Sequence, residues 1–223
     1  MSATWTIAQL TWLRLVRGRA LWVAFLIAFI PVGFASALRG TGPLAKAIDV
    51  FAFMNLIVAV LAPMFVASSI GEDIEDRTAT YLWSRPVPRW AVIAGKLLAL
   101  VPLVAGIVVL SWNASAWISW GHLPPLYTSV AVAASATAVS IVSAGIASLA
   151  PKHGMALSIL YMLFVDFPLG VRPASLREIS LSYQTRVLAA LEVGYAWAAA
   201  VAMISVCLVW ALVAVWRMRR IEA

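Results

Sequence analysis

Runs of about twenty apolar residues recur along this chain, and they leave it few ways to fold. An α-helix rises 1.5 Å per residue, so roughly 20 residues cross the ~30 Å hydrocarbon layer of a bilayer. Stretches near that length occupy Ala20–Leu38, Ile48–Ile70, Ala91–Trp112 or beyond, Leu126–Leu149, Gly154–Leu169 and Val193–Trp216. Backbone amides inside lipid must be satisfied within a helix or in a closed barrel, and the two-residue alternation of barrel strands is absent. The expected fold is therefore an all-α membrane protein of about six transmembrane helices. Composition agrees: 11% of residues are charged and 64% hydrophobic, whereas soluble domains carry about a quarter charged residues.

Two further helices flank this set. Met1–Arg19 reads as a helix with Ser2 or Thr4 as its cap, carrying Trp5, Trp12, Arg14, Arg17 and Arg19. Tryptophans and arginines together suit a helix lying at the membrane interface. Ala20–Leu38 is too long for a signal-peptide core and lacks a small-residue cleavage site, so it is expected to stay as the first anchor. Before the last span, Ser175-x-x-Glu178 fits a capping box, and Leu176, Ile179, Tyr183, Val187 and Leu191 form one apolar stripe. Residues 172–192 are thus expected to be a short amphipathic helix, whole or broken, lying on or dipping into the outer leaflet. The chain, residues 1–223, reads as a single transmembrane domain.

Lysines and arginines set the orientation. With the N-terminus inside, eleven fall on the cytoplasmic side: Arg14, Arg17, Arg19, Arg77, Arg85, Arg89, Lys96, Lys152, Arg217, Arg219 and Arg220. The five others are Arg39, Lys46, Arg172, Arg177 and Arg186. That bias predicts a multi-pass protein of the cell membrane with both termini cytoplasmic. Trp22, Trp90 and Trp216 then sit at the inner interface, and Trp117, Trp120 and Trp197 at the outer one. The net charge of +7 is accounted for by residues at the ends of the apolar runs, which suits headgroups and gives no patch for nucleic acid.

The unusual segment is Gly71–Trp90, GEDIEDRTATYLWSRPVPRW. Glu72, Asp73, Glu75 and Asp76 are four of the nine carboxylates in the chain, and Arg77, Arg85 and Arg89 follow. On a helix, Glu72, Glu75 and Asp76 would share one face, where like charges repel unless something positive compensates. Pro86 and Pro88 must end any helix that reaches them. The expected shape is helix, break and re-entry: a cytoplasmic elbow able to receive force and pass it to two spans.

The stretch EDIEDRTATYLWSRPVPRWAVIAGKLLA resembles the loop between the second and third spans of type-2 ATP-binding-cassette exporter permeases. The matching positions are Glu75, Asp76, Thr78, Leu82, Ser84, Pro86, Val87, Arg89, Gly95, Lys96 and Leu97; Arg77 departs, where many members have glycine. The motif covers about thirty residues, and the pattern of spans and flanking helices extends the similarity over most of the chain. The resemblance implies that residues 71–90 form a coupling loop docking onto a separate ATPase subunit. Glu72, Asp73, Glu75, Asp76, Arg77, Thr78, Arg85, Pro86 and Arg89 would orient that contact, with Leu82 and Trp83 as its anchor. The same family places the N-terminal interfacial helix beside the loop as a support. ATP and magnesium would be bound by the partner, since no phosphate-binding glycine-rich loop occurs in this chain. Six spans alone are too small a bundle to wall a cargo path, so a second copy or a sister permease is expected. The cargo of such a complex would be amphipathic or hydrophobic.

Other constellations are weaker. Apart from Asp49 at the very start of the second run, Asp166 is the one acid placed within a span and a candidate for transport chemistry; alternatively it reaches the outer headgroups or caps a turn at Pro168. Used as a coupling group, it would make the chain an ion-gradient-driven transporter. A membrane subunit of an ATPase-linked assembly complex is a further alternative. Asn55 is a candidate for a cargo or dimer interface, joined by Ser111 and Ser115. Serines at four-residue spacing, including Ser119, Ser140 and Ser148, also suit close helix packing. His122 and His153 fall on opposite sides, so no nucleophile–base set converges and no catalytic residue is expected. The acids at 72–76 lack the spacing that wraps a cation, and the single cysteine, Cys207, excludes an internal disulfide. No metal site or bound cofactor is expected.

Overall fold

A computed structural model describes residues 3–18, 20–38, 43–75, 89–172 and 175–220. Among these every regular element is helical. Helix α1 (Ala3–Arg17) is followed by α2 (Ala20–Ala28) and α3 (Ile30–Ala37). Then come α4 (Pro43–Glu75), α5 (Arg89–Trp120) and α6 (Leu126–Leu149). A 3₁₀ turn at Pro151–His153 leads into α7 (Gly154–Leu160), a π-helical turn at Tyr161–Asp166 and α8 (Phe167–Val171). A second 3₁₀ turn, Ser175–Ile179, precedes α9 (Leu181–Leu188) and α10 (Ala196–Arg220).

Five segments are long and apolar enough to cross a membrane: Ala47–Gly71, Trp90–Trp120, Leu126–Leu149, Pro151–Val171 and Ala196–Met218. The chain is accordingly a multi-pass, all-α membrane protein. A sixth crossing is obtained only by joining α1 to the α2–α3 pair, and these two are inclined to one another by 73°. The expected single helix at 20–38 is interrupted at Phe29. Pro31 lacks an amide hydrogen, and Val32 N–H turns back to the Phe29 carbonyl at 3.1 Å instead of bonding Ala28.

Successive spans run antiparallel, which gives the bundle two ends. One end carries the C-terminus of α4, the N-terminus of α5, Pro151–His153 and the C-terminal turns of α10; it is called the loop end here. The far end carries the α5–α6 turn, α8, α9 and the start of α10. Trp22, Trp90 and Trp216 sit on the loop-end halves of their helices, and Trp117, Trp120 and Trp197 on the far-end halves.

Helix α6 is the central pillar. It packs against α4, α5 and α10, and fifteen of its 24 residues are buried, most of them Ala, Ser, Gly or Val. Small side chains let helix backbones approach where lipid offers no hydrophobic drive for association. The hydroxyls of Ser140 and Ser143 donate to carbonyls four residues back, each at 2.7 Å, so they can be buried without orphaned donors. Helix α10, by contrast, leaves Val201, Ile204, Leu208 and Leu212 exposed, a surface suited to lipid or another subunit.

Candidate functional site

The segment expected to carry function joins α4 to α5. Helix α4 has 33 residues, about 50 Å at 1.5 Å per residue. It therefore outruns the expected span, Ile48–Ile70, because a helix needs an apolar surface only where lipid touches it. Glu72, Asp73 and Glu75 lie on its last turns, and Arg89 opens α5. Asp76, Arg77, Thr78, Leu82, Trp83, Arg85 and Pro86 lie outside the described residues, so the expected elbow is known here by its two feet.

Those feet are clamped. A methyl group built at Gly71 would lie 2.7 Å from the Pro151 carbonyl oxygen, so α4 and the 3₁₀ turn touch backbone to backbone. One at Gly95 would lie 2.7 Å from the Thr4 carbonyl oxygen and 3.0 Å from Ile7, which seats α1 directly on the first turns of α5. Lys96 crosses the gap and donates from Nζ to the Ser69 carbonyl. Its ammonium is thus held at the α4–α5 seam. None of these glycine contacts could be read from composition; the signal, glycine within an otherwise unbroken apolar helix, was present but not specific.

The expected translocation-interface residues separate into three places. Asn55 on α4 accepts from Ser135 Oγ on α6 at 3.3 Å, and its Nδ2 has no partner. Ser111 on α5 donates to the Ala28 carbonyl, which the interruption at Phe29 leaves without its helical donor; Ser111 thereby repairs the break in the first crossing. Ser115 donates to the Ser111 carbonyl at 2.8 Å. All three are buried within the protomer.

Asp166 is 2% exposed, so its carboxylate is held inside the protein. Its Oδ1 accepts from Leu181 N–H at 2.7 Å and its Oδ2 from Ser182 N–H at 2.9 Å. These are first-turn amides of α9, which have no partner within their own helix. Ser180 completes the cap, accepting from Tyr183 N–H at 3.2 Å. The carboxylate therefore pins α9 to the π turn between α7 and α8, and does not cap a turn at Pro168. The sequence also misplaced the start of this helix: Ser175–Ile179 is a 3₁₀ turn and Ser180 is the true cap. Leu176 and Ile179 are consequently exposed, whereas Tyr183 and Val187 are buried.

Helix α9 is wedged between α6 and α10, with polar Ser182, Gln184 and Thr185 buried alongside Leu181 and Val187. Gln184 Nε2 donates to the Glu178 carbonyl, and Thr185 Oγ1 to the Leu181 carbonyl at 2.7 Å. Arg186 donates to the Gly170 carbonyl at 2.6 Å and lies 3.6 Å from Glu192. Burial pulls its guanidinium below the ordinary arginine value, while Glu192 and then Asp166 push it back.

Comparison with protein-family models and with curated proteins gives no match. His122 and His153 are exposed at opposite ends, and no group of three or more His, Cys, Asp or Glu side chains converges among the described residues.

Two features of the far end escaped the sequence. Ala190 has φ of 55° and closes α9 in a Schellman turn: Leu191 N–H reaches the Arg186 carbonyl at 2.9 Å and Ala190 N–H the Val187 carbonyl at 3.0 Å. Glycine is the usual residue there. Ser119 Oγ and Trp120 Nε1 are buried without a partner; each such donor costs about 1–3 kcal/mol.

Proposed function

We propose that this chain is the membrane subunit of an ATP-driven transporter, most simply an exporter, whose motor is a separate ATP-binding-cassette ATPase. The observation that carries the reading is the clamped base of the charged segment. A helix that continues unbroken beyond its apolar stretch is a lever. At its foot it bears on Pro151, is tied through Lys96 to α5, and has α1 seated on α5 at Gly95. Displacement of residues 76–88 by a docked ATPase would move α4, α5 and α1 together. The resemblance of that segment to a coupling loop supports the same assignment.

In this reading the loop end faces the cytoplasm, the α1–α2 bend turns an interfacial helix into the first of six crossings, and α9 dips in from the outer side. The motor supplies the energy by binding and hydrolysing ATP with magnesium, and the two conformations differ in energy because the nucleotide state differs. The cargo path lies between this subunit and a second copy or sister permease, and suits an amphipathic or hydrophobic substrate. An ion-coupled mechanism through Asp166 is disfavoured, because its carboxylate is already engaged by two backbone amides and hydroxyls.

The test is capture of the ATPase by the detergent-solubilised subunit. Leu82→Glu should abolish co-purification. Glu75→Lys should weaken it about tenfold, or ~1.4 kcal/mol, with a shallower dependence on salt. Unchanged capture and unchanged stimulation of ATP hydrolysis by both variants would refute the docking role. Orientation is checked independently with Thr78→Cys in a Cys207→Ala background: an impermeant thiol reagent should label it in inverted vesicles and not in intact cells.

A further inference from the structure

We propose that the far end holds the acyl-ester region of a membrane lipid. A cavity of about 580 Å³ opens between the last turn of α5, the first turns of α6, the start of α4 and the turn after α9. Its walls include Trp112, Ser119, Trp120, Tyr127, Ala190 and Leu191. Its size falls within the range of small-molecule sites, and a mainly apolar wall with a few polar groups is their usual character.

The chemistry of the wall narrows the occupant. None of the lining residues among those described is an Asp, Glu, Lys or Arg, and the one histidine, His122, is exposed. A phosphate or a carboxylate would therefore enter without a fixed counter-charge. The polar groups that lack partners are donors: the indole N–H of Trp120, which can only donate, and the hydroxyl of Ser119. Two others are already committed. Trp112 Nε1 donates to Thr128 Oγ1 at 3.1 Å, and Thr128 Oγ1 donates to the Pro125 carbonyl at 2.7 Å. A neutral acceptor matches what remains, and an ester carbonyl is one.

Position points the same way. The cavity lies where spanning helices end, which for helices that cross a bilayer is the interfacial level, and an indole with one apolar and one polar edge suits that level. Tyr127 of the wall is exposed, as are its chain neighbours Leu123 and Leu126, and these would lie along the acyl chains. Ser119 and Trp120 line the cavity while their unpartnered polar atoms are buried, so a side-chain rotation would present them to an arriving carbonyl. Satisfying them only in the bound state makes their hydrogen bonds a net gain on binding. This site does not depend on the transporter reading, since it uses neither the charged segment nor a motor.

Native mass spectrometry of the full chain in an ester-free alkyl maltoside micelle tests it, with dioleoylglycerol, dioleoyl phosphatidic acid and inorganic phosphate as probes. Dioleoylglycerol should bind saturably at one copy per chain, phosphatidic acid should bind with similar affinity, and inorganic phosphate should neither bind nor compete. Trp120→Phe keeps the ring but removes the donor and should weaken binding about tenfold, or ~1.4 kcal/mol. Ala47→Phe, which fills the cavity from α4, should abolish saturable binding in a protein whose melting temperature is retained. Ser119→Ala is the second donor variant should Trp120→Phe fail to fold. Wild-type affinity in the folded variants would overturn the proposal. So would strong preference for phosphatidic acid with competition by phosphate, since the site would then read the phosphate.

Discussion

At the loop end the helices meet through glycine, backbone against backbone, and the charged side chain described there ties two helices together. At the far end the helices are short and irregular, joined by a carboxylate, serine hydroxyls and an arginine, and they enclose a cavity. The first arrangement suits parts that must move as one body, because van der Waals contact between rigid backbones leaves no slack. The second suits parts that change relative position, because a few polar bonds can be exchanged. One molecule thus has a stiff end beside its charged segment and a rearrangeable end opposite.

Substitutions at four positions would sharpen or break that contrast, and the largest effect is expected at Asp166. Hydrogen bonds to a charged group contribute about 1.5–3 kcal/mol each, and Asp166→Ala removes two made to α9 amides. With some relief of carboxylate desolvation, a net loss of about 3 kcal/mol is expected, with faster hydrogen exchange at Leu181 and Ser182. Asp166→Asn keeps one acceptor and should lose about half as much. If Asp166→Ala melts like the parent, the far end is not held as described.

Gly71→Val comes next. It places a branched side chain against the Pro151 backbone, and overpacking of this kind costs about 1–3 kcal/mol. Thermal unfolding in detergent would measure it, and a neutral result would show that the loop end has slack after all. Ser111→Ala should cost about 1 kcal/mol by exposing the Ala28 carbonyl to an apolar surrounding. Increased exchange near Phe29, with no change around α9, would localise that effect. Ala190→Gly should stabilise by about 0.5–1 kcal/mol, since an L-residue in the left-handed region carries a penalty of roughly 1–2 kcal/mol; a lower melting temperature would show that the methyl group packs usefully.

The sequence made the spanning helices legible because crossing a bilayer demands length and apolarity, and both are visible residue by residue. Helix ends were less visible. Glu72–Glu75 look like loop by charge, yet α4 continues through them because helix formation needs no lipid contact. The start of α9 was misread because Ser175 and Glu178 satisfy a local pattern, whereas the actual cap combines Ser180 with Asp166, fourteen residues away. A partner that distant is set by tertiary packing, as are the repair of Ala28 by Ser111 and the close approaches at Gly71 and Gly95. Of the proposed ATPase contact, the sequence offers the residues and the described structure offers only their supports.

The π turn at Tyr161–Asp166 has a consequence for how this chain can vary. A π turn holds an extra residue within an otherwise α-helical path, and one residue corresponds to about 100° of helix rotation. Relaxing these six positions into plain α-helix at constant length would turn the segment that follows by about that amount and swing the Asp166 carboxylate off its two amides. The π turn therefore aims Asp166 at α9, and substitutions that favour plain α geometry there would uncouple α9 even with Asp166 itself unchanged.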